Sequence, residues 1–171
     1  SSQVLDFMQK TAEDPGFREK LKEILNAGDG DISDFSQLDA DEMEALTGAR
    51  GALVAEFAAA HGFQFCVHAI GDRANRETLN IFEETFKANP GRKDWRWRVE
   101  HAQHLRPEDI PRFAALGAIA AMQGVHCTSD APYVLARLGP KRAEEGAYVW
   151  QKLMKSGAVV TNGTDAPVED V

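Results

Sequence analysis

The sequence predicts an α/β protein built on a parallel sheet, and three observations predict it. From residue 38 onward, long amphipathic stretches alternate with short apolar runs rich in β-branched and aromatic residues. Glycine or Asn89-Pro90-Gly91 closes the helix-like stretches. Each apolar run is separated from the next by a helix-length connection, which allows parallel pairing through right-handed crossovers rather than hairpins.

The elements follow in order. Residues 4–26 carry Val4, Phe7, Met8, Phe17, Leu21, Ile24 and Leu25 at helical spacing, interrupted by Asp14-Pro15-Gly16. Ala27 to Asp34 is a glycine- and acid-rich linker. It is not a calcium-binding EF-hand, because with Asp29 at position 1 the required glycine is Asp34 and the required glutamate is Ala40. Residues 1–37 therefore read as an acidic helical and linker segment, and residues 38–171 as the strand-and-helix domain. Asp39 to His61 is expected to be a helix with Met43, Leu46, Leu53, Val54 and Phe57 as its apolar stripe, ended by Gly62. A strand over 63–70, a helix over 74–88 and a strand over 95–101 come next. Then come a helix from about 106 to 116, closed by Gly117, and a strand over 118–122. A long loop with a further helix is expected over 130–156, and a last strand over 158–162.

Composition narrows the function classes. The 171 residues are 43% hydrophobic and 27% charged, as in an ordinary globular protein, with a net charge of −8. That acidity argues against nucleic acid or anionic lipid as a partner, and no apolar run is long enough for a membrane span. Nothing at the start reads as a signal peptide. Cys66 and Cys127 stand far apart in unrelated contexts, so a reducing, cytoplasmic setting is the simplest expectation. No Gly-x-Ser-x-Gly elbow, P-loop or Gly-x-Gly-x-x-Gly occurs, which disfavours serine-hydrolase and nucleotide-binding readings.

Three residues fall at or just beyond the C-terminal ends of expected strands: His68, His101 and Asp165. In a barrel, active sites are assembled at that end from consecutive units. Neutral imidazoles suit zinc and similar ions, and a neighbouring carboxylate can pass on the proton of an activated water. A histidine in such a place is also often a hydrogen-bonded structural residue, and Asp165-Ala166-Pro167 also reads as a turn. Strand alternation groups His68 with Cys66 and Gln64. In the second strand it puts an inward His101 opposite Arg98 and Glu100, which would then face the helices and need partners.

Five segments carry a resemblance. They are Val67-His68-Ala69-Ile70-Gly71-Asp72-Arg73-Ala74-Asn75, Trp95 through Gln103, Ala121-Met122-Gln123, His126-Cys127-Thr128-Ser129-Asp130-Ala131-Pro132 and Gly163-Thr164-Asp165-Ala166-Pro167-Val168. In this order they closely resemble the motifs of the YtcJ-like amidohydrolases, the amidohydrolase family 3 group. The resemblance implies a partial TIM-like (β/α) barrel, with this chain supplying strands five to eight. It implies His68 and His101 as metal ligands for a divalent ion such as zinc, and Asp165 as the acid–base residue. Asp72, Gln123 and His126 become candidate substrate contacts or supports of the ligands. The implied activity is metal-dependent hydrolysis of amide-type carbon–nitrogen bonds in small molecules.

The sequence also departs from that pattern. No His-x-His pair occurs, and Gly124 stands where proline is implied after Met122-Gln123, which suggests a looser loop. At 171 residues the chain is short of the roughly 250 of a complete barrel. The expectation is an incomplete fragment, inactive or nearly so alone, whose open barrel face is covered by a missing N-terminal half-barrel or by homo-oligomerisation. The alternative is a truncated, non-catalytic module that binds a partner or ligand through that face.

Overall fold

The computed structural model describes residues 15–16 and 51–168. Pro15 and Gly16 have helical backbone and are exposed. The rest of the expected helix over 4–26, the linker, the boundary near residue 37 and the start of the helix over 39–61 lie outside the described residues. The chain divides into two compact units, residues 1–64 and 65–171. In the first, helix α1 (residues 51–60) ends at Gly62, where the backbone turns left-handed and Phe63 N–H returns to the Ala58 carbonyl at 2.8 Å.

The second unit holds β1 (Cys66–Ala69), α2 (Asp72–Ala88), β2 (Arg98–His101), α3 (Ile110–Leu116), β3 (Ile119–Met122), α4 (Gly124–Gly146), α5 (Trp150–Lys155) and β4 (Val159–Asn162). These four strands pair in parallel, in the sheet order β1-β2-β3-β4. That unreversed order is the order of consecutive barrel units; a doubly wound sheet would reverse at a switch point. The four parallel strands thus agree with the expected partial barrel.

The stretch expected over 130–156 as a long loop with a further helix is mostly helix, in two pieces. Helix α4 begins at Gly124 and bends at Gly139, whose φ of 75° interrupts it ahead of Pro140. The two prolines, Pro132 and Pro140, argue against one uninterrupted helix and masked this element in the sequence. Proline at 140 has no N–H to give to the Ala136 carbonyl one turn back, and the Arg142 side chain donates to the Leu138 carbonyl at 3.0 Å.

Alternation along the strands decides what each face does. Val99 and Ala120 are fully buried beneath the helices. Trp97, just ahead of β2, is buried there too, against Phe82 of α2 at 5.1 Å and Phe65 at 5.4 Å between ring centroids. Leu153 of α5 and Phe113 of α3 complete this layer. On the opposite face, register aligns Cys66, Arg98, Ile119 and Val159 in one row and His68, Glu100, Ala121 and Thr161 in the next. Arg98 and Glu100 therefore do not point into the helix layer. They share the open face and pair with each other at 2.7 Å.

The returns into β3 and β4 are made by glycines in left-handed conformation. At Gly117 (φ 67°) and Gly157 (φ 90°), the next residue's N–H bonds back to the Phe113 and Leu153 carbonyls. This hydrogen-bonding pattern satisfies the helix end and delivers the chain directly into β3 or β4.

Candidate active site

The C-terminal ends of the strands place four of the expected residues around one cleft. Its walls include His68, His101, His126 and Asp165, with Tyr133 and Arg137 from α4, and it encloses roughly 690 Å³. The His68 and His101 rings meet edge to face, with centroids 4.4 Å apart, and the His101 and His126 rings lie 5.7 Å apart. His126 Nε2 is 4.0 Å from Asp165 Oδ2.

Strict alternation would turn His101 with Val99 towards the helices. Its backbone prevents this: His101 has φ 73° and Ala102 φ 45°, both left-handed, so the strand breaks at this point. The ring comes round to the His68 side. Asp165 also sits in the left-handed region, with φ 56°. Such conformations cost of order 1–3 kcal/mol each and persist only where surrounding contacts enforce them.

Gln123 supplies one of these contacts. Its Oε1 accepts a hydrogen bond from His101 Nδ1 at 2.8 Å, while its Nε2 donates to the Ala121 carbonyl at 3.2 Å. The amide orientation is fixed by the carbonyl, so Nδ1 of His101 bears the hydrogen and the Nε2 lone pair of the neutral ring is left for a ligand. Gln123 is buried and acts on His101.

Asn75 holds the loop above β1. Fully buried, its Nδ2 lies within 3.2 Å of the carbonyls of Ala69, Ile70, Gly71 and His104. One side chain therefore ties the exit of the His68 strand to the exit of the His101 strand. Gly124 also has a positive role in place of the implied proline. Its N–H donates to Asn162 Oδ1 at 2.8 Å, a bond proline could not make, and this anchors the start of the His126 helix to β4.

A part-buried polar cluster lies beside the cleft. Gln103 Nε2 donates to Asp130 Oδ2 at 2.6 Å and to the Tyr148 hydroxyl at 2.7 Å. The Tyr148 hydroxyl donates to Asp130 and lies 3.1 Å from the His126 carbonyl. Burial and the adjacent Asp130 carboxylate raise the Tyr148 pKa, which keeps its proton in place. Sequence reasoning did not single out Gln103, Asp130 or Tyr148. The first two lie in quoted motifs, whereas Tyr148 falls in the stretch expected to be loop and carries no sequence signal of its own.

Asp72 stands apart from this group. It begins α2, bonds Arg106 Nε at 3.3 Å, and lines a neighbouring depression with His104, Arg106 and Arg142. Among the described residues, no helix is long and apolar enough to cross a membrane.

Comparison with known proteins bears on this geometry. The model of the amidohydrolase family matches residues 7–171. Over 110 residues, 64% of the chain, it is 42% identical to Protein LONG AFTER FAR-RED 3 of Arabidopsis thaliana and 39% identical to putative amidohydrolase YtcJ of Bacillus subtilis. Those stretches are 19% and 20% of the relatives, so the chain spans about a fifth of the length of the curated relatives it matches. Two solved structures, uncharacterised metal-dependent hydrolases from Pyrococcus furiosus and Pyrococcus horikoshii, superpose with TM-scores of 0.54 and 0.53 at 27% and 26% identity. Each covers 78% of this chain and 25% or 24% of its own.

Proposed function

Because the chain belongs to the amidohydrolase family, we propose that its cleft forms the strand-five-to-eight side of a metal-dependent hydrolase site for amide-type carbon–nitrogen bonds of small molecules. The observation that carries this reading is the convergence of His68, His101 and Asp165 on one cleft at the C-terminal ends of parallel strands. The donor set fits a divalent ion. His101 is held through Nδ1 by Gln123, which leaves Nε2 for coordination, and His68 stands against it.

His68 and His101 would hold the ion, and their nitrogen donors suit zinc. When bound, such an ion polarises a carbonyl and lowers the pKa of a coordinated water. Asp165 accepts the proton of the attacking water and returns it to the departing nitrogen, so an amide and water become a carboxylic acid and an amine. Tyr133, Val134 and Leu138 give the cleft an apolar wall for the body of a small substrate.

The implied His-x-His ligands are not in this sequence, so the chain by itself supplies part of the ligand set and turns over substrate slowly or not at all. The open sheet face, where Val159 is 57% exposed, is where further barrel strands or a second copy would pack. Its free cysteines accord with a reducing, cytoplasmic location. The test is elemental mass spectrometry of the gel-filtered chain, together with amine release from a panel of N-acylated and cyclic amides with and without chelator. Retained divalent metal that is lost in His101→Ala, with any turnover chelator-sensitive, is the expected result. A folded chain that retains no metal even after incubation with zinc overturns the reading. The same open face favours a second reading, a non-catalytic module that docks a partner there, and this predicts partner binding indifferent to chelator and to His101→Ala.

A further inference from the structure

We propose that Arg137 is a specificity-determining residue of the cleft, selecting amides that carry a carboxylate beside an apolar body. The inference rests on the reading of the cleft as a hydrolase site and adds to it the charge of the substrate.

Beyond Asp130, α4 lines the cleft with Tyr133, Val134, Arg137 and Leu138. Residues three to five apart on a helix share a side, so these four form one face. The face ends where the helix bends, because Gly139 leaves the helical conformation at φ 75° and ψ 163°. Arg142 fixes that end of the face. Its Nε donates to the Leu138 carbonyl at 3.0 Å and its Nη2 to the Arg137 carbonyl at 3.5 Å. The backbone of Arg137 is thus held by a neighbour, and its own guanidinium is left to serve a ligand.

Charge singles Arg137 out. Among the described residues it is the one lysine or arginine lining the cleft, and it makes no ion pair there. The arginines of the neighbouring depression are committed, Arg106 to Asp72 at 3.3 Å and Arg142 to the two helix carbonyls. The acids of the cleft are engaged as well. Asp130 accepts from Gln103 and Tyr148, and Asp165 lies 4.0 Å from His126. A guanidinium presents paired N–H donors that match the two oxygens of a carboxylate. On the same helix face, Tyr133, Val134 and Leu138 offer apolar surface to the rest of the molecule. A neutral amide uses only that surface, whereas an anionic one uses the surface and the charge together. Arg137 is exposed, so salt screens this attraction.

The experiment is an NMR titration of the metal-stripped chain at low salt with N-benzoylglycine and with its neutral counterpart, N-benzoylglycinamide. Stripping the metal prevents the carboxylate from coordinating it, so any preference for the acid comes from the protein. The wild-type chain is expected to bind the acid about 10-fold more tightly than the amide, a preference that shrinks as salt is raised. Arg137→Gln is expected to abolish the preference by weakening the acid alone. Arg137→Lys, which keeps the charge and loses the paired donors, is expected to retain part of it. Lys155→Gln removes the same charge at the opposite end of the strands, where α5 leads into β4, and is expected to leave the preference intact. A wild-type chain that binds the acid no more tightly than the amide overturns the inference. So does an Arg137→Gln chain that keeps the preference, or an equal loss in Lys155→Gln. Zinc retention, measured separately on the same preparations, keeps the two readings apart. Zinc retained without acid preference overturns the role of Arg137 and leaves the proposed hydrolase site standing. Acid preference lost in Arg137→Gln, in a chain that cannot hold zinc, supports anion recognition by Arg137 and overturns the hydrolase reading.

Discussion

Nδ1 of His101 donates to Oε1 of Gln123 across 2.8 Å, both residues being buried, and this contact fixes which nitrogen of the ring is free. Supports of this kind are worth about 10–100-fold in metal affinity. Gln123→Leu is therefore expected to weaken zinc binding within that range while leaving the fold intact, as measured by titration and melting. Gln123→Glu, which still accepts the hydrogen bond and adds charge, should bind zinc at least as well as Gln123→Leu. Equal affinity of wild type and Gln123→Leu would refute the role.

Asp109 joins two helices rather than serving the cleft. Only 1% exposed, it accepts from Arg76 at 2.8 Å and Arg112 at 3.1 Å, holding α2 against the start of α3. Removing one partner of a buried ionic contact costs about 3–5 kcal/mol, and here the part-exposed arginines can still reach water and Glu83 or Glu108. Asp109→Ala is expected at the lower end, about 3 kcal/mol, in a denaturant unfolding experiment. A loss below about 0.5 kcal/mol would class this contact with ordinary surface pairs.

Much of the fold was legible because barrel units repeat a simple pattern. Trp97 and Val99 alternate with Arg98 and Glu100, and the apolar pair marks the helix-facing side. Gly62 and Gly117 marked helix ends through their conformational freedom. What was not legible came from residues that break a period. His101 leaves the strand alternation through a positive φ, which no propensity encodes, so the orientation of Arg98 and Glu100 stayed open until the backbone was seen. Pro132 and Pro140 hid a helix that other contacts stabilise. The cluster around Tyr148 joins residues 45 apart in sequence, and such a pairing has no local signature. His68, His101, His126 and Asp165 were visible as residue types at strand and helix ends, but their relative distances were not.

Gly146 is a close-approach position that the cleft depends on indirectly. A Cβ there would stand 2.0 Å from the Leu105 carbonyl oxygen, and Gly146 accepts the Leu105 N–H at 2.9 Å. The contact clamps residues 146–148 against 103–105 and so seats Tyr148. Gly146→Ala must push the two backbones apart, at a cost of about 1–3 kcal/mol or more. The expected outcome is a lower melting temperature, measured by thermal denaturation of the variant beside the wild type. A variant with unchanged melting would show that the two strands of backbone separate without cost.

His104 sets an expectation for pH. Burial pushes its pKa below the ordinary value of 6.5, with the Asp130 and Asp72 charges only partly opposing this, and its Nδ1 has no hydrogen-bond partner. The folded state therefore disfavours the imidazolium while the unfolded chain accepts the proton. Over the interval between the folded pKa and 6.5 the unfolded state binds more protons, so stability rises with pH. This contribution is fully present above 6.5 and is lost as the pH falls towards the folded value. The metal-free chain should unfold at progressively lower denaturant as the pH is lowered from 7 to about 5. His104→Gln should flatten the part of that slope nearest 6.5, leaving carboxylate protonation to act at lower pH. An unchanged slope in His104→Gln would assign the acid sensitivity to other groups.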